Sequence, residues 1–187
     1  MKIGLLFGSY NPVHLGHLLL ATRIREYAEL NEVWLVVSPH NPHKNEDEII
    51  DGTHRLEMVK LAVNNHAYLK VCDTEFSLSR PSYTHLTLKE LTRLFNEHTF
   101  SVIIGEDILE KFNTWMEADW IKNNFEILIY NRTNKQGIIN HSLPVIHLPL
   151  IDISATEIRK RILERKTIRY FVPEIVEQYI LQNNLFI

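Results

Sequence analysis

KIGLLFGSYNPVHLGH, residues 2–17, passes from an unbroken apolar run into two glycines, a proline and two histidines. The first part, KIGLLF (2–7), lacks polar alternation, which is the pattern of a strand covered on both faces of a sheet. Behind the turn, HLLLATRIREYAEL (17–30) places Leu19, Leu20, Ile24, Tyr27 and Ala28 close to one helical face. A buried strand, a glycine-bearing turn and a helix make the first half of a βαβ unit. Working outward, VWLVVS (33–38), YLKVCD (68–73), FSVIIG (100–105), FEILIY (125–130) and LPVIHL (143–148) repeat the strand pattern. THRLEMVKLAVNN (53–65) and SYTHLTLKELTRLF (82–95) repeat the helical one, the latter with Leu88, Leu91 and Leu94. Alternation of this kind predicts an α/β fold, a doubly wound parallel sheet with right-handed crossovers.

The last forty residues change character. SATEIRKRILERK (154–166) and PEIVEQYILQNN (173–184) are helical patterns with no strand between them. Ser154 with Glu157 three residues on forms a capping box, and Pro173 marks the second start. The expected organisation is one domain, 1–187, with an α/β core over 1–150 and C-terminal helices over 151–187. HNPHKNEDEIIDG (40–52) is the most loop-like stretch and a candidate ligand-covering loop.

With 45% apolar and 23% charged residues, the 187-residue chain can bury a sizeable core. A net charge of −3 disfavours a general nucleic-acid binder, which carries a basic excess. Cys72 is the only cysteine, so no intrachain disulfide forms. No run approaches a membrane span, and no signal peptide is evident before Gly8 breaks the first apolar run. A cytoplasmic protein is the expectation.

In an open α/β sheet the loop after the first strand lies at the carboxyl edge, where ligands bind. Its backbone N–H groups and the helix dipole favour an anion, most often a phosphate. Neither G-x-G-x-x-G nor G-x-x-x-x-G-K-[ST] is present. Instead His14 and His17 lie three apart, on neighbouring positions of a first helical turn if the helix starts near Val13. Imidazole donors there suit a phosphate gathering charge. A metal site, or mere packing and capping, are the competing uses of the same pair.

GSYNPVHLGH resembles the G-x-[FY]-x-P-x-H-x-G-H signature of the Rossmann-like nucleotidyltransferase superfamily, and ISATEIRKR (153–161) resembles its second signature, I-S-S-T-x-[IV]-R. The resemblance implies attack of a phosphate on the α-phosphorus of a nucleoside triphosphate, with release of pyrophosphate. It implies ATP contacts from Gly8, Ser9, Tyr10, His14 and His17, and from Gly105, Asp107, Ser154, Ala155, Thr156 and Arg159. His14, His17 and Arg159 are its catalytic set. Ala155 replaces the usual second serine, and the capping box alone accounts for Ser154. Phosphoryl-type transfer needs charge neutralisation and positioning more than a nucleophilic side chain, and the chain has no G-x-S-x-G. Mg²⁺ is implied as a phosphate-bound ion, with no dedicated protein ligand.

The middle of the chain resembles the bacterial nicotinate-mononucleotide adenylyltransferase family. NPHK (41–44), RPSYTHLTLKEL (80–91), IGEDILEKFNTWMEAD (104–119) and IRYFVPEIVEQYILQNNLF (168–186) carry this likeness, which spans nearly the whole chain. The substrates it implies are ATP and nicotinate mononucleotide, giving nicotinate adenine dinucleotide. Lys44 would meet the mononucleotide phosphate, Tyr83 and Thr84 the nicotinate carboxylate at a helix start, and Trp115 the pyridine ring. Asp107 would hold the adenosine ribose, and Asn131–Arg132–Thr133 stands where Arg-Pro-Gly is commoner. Without the likeness, Trp115 reads as a core aromatic and Lys44 as a solvated charge. Another phosphate acceptor, such as nicotinamide mononucleotide or phosphopantetheine, is the alternative enzyme. An inactive nucleotide sensor and a nucleic-acid module are the other classes. A second copy of the chain is a candidate partner.

Overall fold

A computed structural model describes residues 1–39, 49–131, 145–149 and 151–187. Among these, β1 (Lys2–Gly8), β2 (Glu32–Val37), β3 (Leu69–Cys72), β4 (Thr99–Gly105), β5 (Glu126–Tyr130) and β6 (Val145–Ile146) form one sheet. Its order is β3-β2-β1-β4-β5-β6 and every pairing is parallel. The expected doubly wound sheet is therefore present. Its connections run outward in opposite directions from β1 and β4, so the ligand-binding switch point lies between these two strands.

Among the described residues seven α-helices cover the sheet: α1 (Leu15–Tyr27), α2 (Gly52–Ala62), α3 (Thr84–Leu94), α4 (Glu106–Phe112), α5 (Ala118–Asn124), α6 (Ala155–Leu163) and α7 (Glu174–Gln182). Side chains alternate along β1 even though all are apolar, because both faces are covered. Ile3 and Leu5 join Leu88, Leu91, Phe112 and Ile121, from α3, α4 and α5. Leu6 joins Ile24, Met58, Val59, Ile158, Val176 and Ile180, from α1, α2, α6 and α7. Between them, Gly4 leaves no room for a side chain: a Cβ there would stand 2.6 Å from Leu30 Cδ1.

Three helices stop before the sequence pattern does. In α1 the N–H of Leu30 donates to Arg25 O (2.9 Å) and Glu29 takes φ 51°. The same Schellman ending closes α6 at Arg165 and α7 at Asn184. None of these left-handed residues is glycine, so the usual stop signal is missing. The pattern also overcounts the core, since Leu19, Tyr27 and Leu94 are exposed. The sequence reading gave no helix between β4 and β5. There α4 and α5 are seven residues each, too short for a sustained apolar period, and are split by a turn with Glu117 at φ 59°.

Candidate active site

The β1–α1 turn lies at the carboxyl end of β1, and its geometry follows from how α1 begins. The helix begins at Leu15, two residues later than the expected start near Val13, so His14 caps it rather than joining it. Its carbonyl accepts from His17 N (3.0 Å), and its own N–H donates to His17 Nδ1 (3.2 Å). Since Nδ1 accepts, the proton of a neutral His17 ring sits on Nε2. The two imidazoles stack with centroids 3.7 Å apart and a 30° tilt. Gly16 permits this: a Cβ there would stand 2.9 Å from His14 Nδ1. His14 is 6% exposed and His17 half-buried.

Tyr10 builds the wall behind His17. Its ring meets His17 edge-on at 5.0 Å and lies against Gly8, where a Cβ would be 2.8 Å away. Burial pushes the Tyr10 phenol up, so it stays a donor, and it donates to Leu6 O. Ser9 is buried, and its hydroxyl has no hydrogen-bond partner among the described residues.

The second signature closes on the first. Ile153 Cβ lies 3.6 Å from where a Gly16 Cβ would be, so the start of α6 abuts the start of α1. Arg159 Nη1 donates to Asn11 O at 2.9 Å across 148 residues of sequence. Thr156, on the exposed first turn of α6, has its hydroxyl 3.5 Å from Arg159 Nη2. The Ser154 hydroxyl accepts from Glu157 N (3.1 Å), as the capping box predicts, with Ala155 beginning the helix. The C-terminal segment helps seat α1, whose first N–H donates to Phe171 O (2.9 Å). His14, His17, Ser154, Thr156 and Arg159 thus share one neighbourhood, with two helix N-termini and one guanidinium.

Gly105 ends β4 and caps α4, and Asp107 is exposed on that helix's first turn. Tyr83 and Thr84 form the start of α3, where Leu86 N donates to Tyr83 O (3.0 Å). Trp115, half-buried between α4 and α5, meets Phe112 edge-on at 4.9 Å. The adenosine candidates Gly105 and Asp107 and the acceptor-side candidates Tyr83, Thr84 and Trp115 all stand toward the sheet face covered by α3, α4 and α5. The amide of Asn131 is taken up by Leu148, accepting from its N–H at 2.6 Å and donating to its carbonyl at 3.1 Å. Lys44, Arg132 and Thr133 lie outside the described residues.

The sequence reading assigned no part to Arg55 and Glu75, both buried near the ends of β1 and β2. Glu75 Oε1 accepts from Thr87 Oγ1 of α3 at 3.1 Å. Burial raises its carboxyl above the ordinary value, against the opposing pull of Ser38, Thr87 and Ser82. No spacing rule flags a single cation or carboxylate on an otherwise amphipathic pattern.

An α/β sheet with paired histidines and a second helix start at its switch point defines a nucleotidyl-transferring protein. The cytidylyltransferase-like family matches residues 5–161. A Flavobacterium johnsoniae protein named "Probable nicotinate-nucleotide adenylyltransferase" is 41% identical over 100% of this chain and 99% of its own. A Christiangramia forsetii protein of the same name is 40% identical over 99% and 98%. The chain belongs to the nicotinate-nucleotide adenylyltransferase family. In structure it is similar to Plasmodium falciparum nicotinic acid mononucleotide adenylyltransferase complexed with NaAD, at TM-score 0.77, 20% identity and 99% and 97% coverage. The complex of that protein with APC gives 0.75, at 20% identity and 99% and 96% coverage.

Proposed function

We propose that this chain transfers the adenylyl group of ATP to nicotinate mononucleotide, forming nicotinate adenine dinucleotide and pyrophosphate for NAD biosynthesis. One observation carries the assignment of roles: the Arg159–Asn11 contact of 2.9 Å, which brings the α6 start to the paired histidines. An imidazole Nε2–H and two helix N-termini then act on one triphosphate. The acceptor phosphate oxygen attacks the α-phosphorus, that phosphorus loses its bond to the bridging oxygen, and pyrophosphate leaves with the charge. His17 is the donor at the reacting phosphate, His14 holds its ring in place, and Arg159 with Ser154 and Thr156 meets the β- and γ-phosphates. Gly8, Ser9 and Tyr10 shape the loop, while Gly105 and Asp107 are assigned to the adenosine.

Preorganised donors of this kind each contribute about 10²–10³ in rate when aimed at developing charge. Among the described residues no cluster of three or more His, Cys, Asp or Glu is placed to hold a metal ion. Imidazole, guanidinium and backbone N–H groups suit phosphate oxygens, so Mg²⁺ would be held by the triphosphate rather than by this chain and would supply charge neutralisation there. On the acceptor side Tyr83 and Thr84 receive the nicotinate carboxylate at the α3 start, Trp115 stacks on the ring, and Lys44 meets the phosphate. No helix among the described residues is long and apolar enough to cross a membrane, which supports cytoplasmic action as part of this proposal.

Pyrophosphate release from ATP with a panel of phosphate acceptors tests the proposal. Nicotinate mononucleotide is expected to give the highest kcat/KM, above nicotinamide mononucleotide and phosphopantetheine. A higher value for either competitor overturns the assignment.

A further inference from the structure

Arg55 is the largest fully buried side chain of the described residues and is 1% exposed. It carries a charge that none of its hydrogen bonds pairs with a carboxylate. Its Nε donates to Ile50 O (2.9 Å), Nη1 to Ser9 O (2.6 Å) and Ser38 O (2.7 Å), and Nη2 to Pro39 O (2.7 Å). Burial lowers this guanidinium only to about 10, so it stays charged at neutral pH. Its hydrogen bonds go to four carbonyl dipoles, and the Asp51 carboxylate acts on it through space alone. This is an expensive way to hold a buried cation where an apolar contact would stabilise the fold as well.

What the four carbonyls share is their place in the fold. Ser9 belongs to the β1–α1 loop, while Ser38 and Pro39 follow the end of β2. Ile50 precedes α2, on the far side of residues 40–48. Ser38 N also donates to Gly8 O (3.0 Å), and Ile50 N donates to Asn11 Oδ1 (3.3 Å). Asn11 in turn accepts from Arg159 through its carbonyl. A planar fork with five donors can fix three chain segments at once, which a lysine cannot. Gly52 leaves the room: a Cβ there would be 3.3 Å from Arg55 Nη2.

We infer that Arg55 is a positioning residue, whose guanidinium sets the nucleotide loop at Ser9–Asn11 against the strand end at Ser38–Pro39, and so aligns donor with acceptor. This rests on the nucleotidyl-transfer reading of the site but not on which acceptor is used. Misplacing reacting groups by about 1 Å costs on the order of 10²-fold in rate while leaving each substrate its own contacts.

The test compares Arg55→Lys and Arg55→Ala with the unaltered chain, after circular dichroism and melting show each variant folded at the assay temperature. Calorimetry gives the Kd of a non-hydrolysable ATP analogue and of nicotinate mononucleotide separately, and pyrophosphate release gives kcat. The expected result is a fall in kcat of about 10²-fold with each Kd within about threefold, and saturable recovery of Arg55→Ala by millimolar guanidinium but not methylammonium. Should both Arg55 variants fail to fold, Asn11→Ala breaks the adjoining link to Ile50 without stranding a charge, and the same kcat-only signature is expected, at about tenfold. Wild-type kcat in a folded variant, a loss confined to substrate affinity, or failure of guanidinium to restore turnover overturns the inference. Turnover of the unaltered chain with a different acceptor sinks the nicotinate assignment yet leaves this comparison intact. A chain inert with every acceptor overturns both.

Discussion

The two halves of the proposed site are held in different ways. On the triphosphate side, backbone groups do the holding: His14 caps α1, Arg159 reaches the Asn11 carbonyl, and Arg55 gathers four carbonyls. On the acceptor side, Trp115 sits half-buried in a turn between two seven-residue helices, edge-on to Phe112. Backbone-locked groups lose little freedom when a ligand arrives, which is what charge stabilisation in a transition state requires. A ring on a short turn can be exchanged without disturbing the sheet, which is where a choice between similar acceptors can change. Chemistry is thus assigned to the rigid half and substrate preference to the adjustable one.

Replacing His17 by Ala is the most severe way to break that division. Turnover should fall about 10²–10³-fold. The variant should stay folded at a cost of about 1 kcal/mol, since the His14 N–H loses its Nδ1 acceptor while the first intrahelical bond to the His14 carbonyl is kept. Stopped assays beside a thermal melt check both. A folded variant with normal kcat would remove the imidazole from the mechanism and leave the rigid half without its donor.

Gly16→Ala sharpens the comparison without removing any donor. The added Cβ would stand 2.9 Å from His14 Nδ1, and that ring packs against His17 at 3.7 Å. The rings must part or the turn must shift, at a cost of about 1–3 kcal/mol in stability. We expect kcat to drop roughly tenfold, one donor being displaced rather than lost. Urea unfolding and steady-state kinetics measure the two effects, and unchanged turnover would mean that the stacked geometry is incidental.

The order of elements and the first signature were legible in the sequence because continuous apolar runs and a glycine-flanked turn are local signals. Helix ends were less so. Glu29, Arg165 and Asn184 adopt the left-handed conformation without being glycine, so the apolar pattern ran two or three residues past the true stops. The candidate site was legible as two motifs, which the resemblance already put on one triphosphate, but the contacts that join them were not. Asn11, which links them through its carbonyl, and Arg55, which braces the loop, contribute contacts fixed only by tertiary geometry. A backbone acceptor leaves no mark on side-chain identity.

On the adjustable half, Trp115→Ala should raise the KM for nicotinate mononucleotide about five- to tenfold, the loss of one aromatic stack worth about 1 kcal/mol and some buried area. The KM for ATP should stay within twofold. Equal changes in both would merge the two halves that the packing keeps apart.

The smallest effect tests the seam between the halves, where Glu75, just after β3, accepts from Thr87 of α3. Its carboxyl is buried, and desolvation raises it above the ordinary 4.5. The folded chain therefore keeps this proton to a higher pH than the unfolded chain does. Between the ordinary value and the raised one the native state holds more protons, so stability falls as pH rises through that window and is level above it. Glu75→Gln keeps an oxygen to accept from Thr87 and has no proton to lose. Melting both proteins across the acid range should show the variant gaining on the parent as pH rises, then running parallel to it. A constant gap at every pH would mean that Glu75 is solvated in the folded chain. The α3 start, with Tyr83 and Thr84, would then be as loosely held as the Trp115 turn.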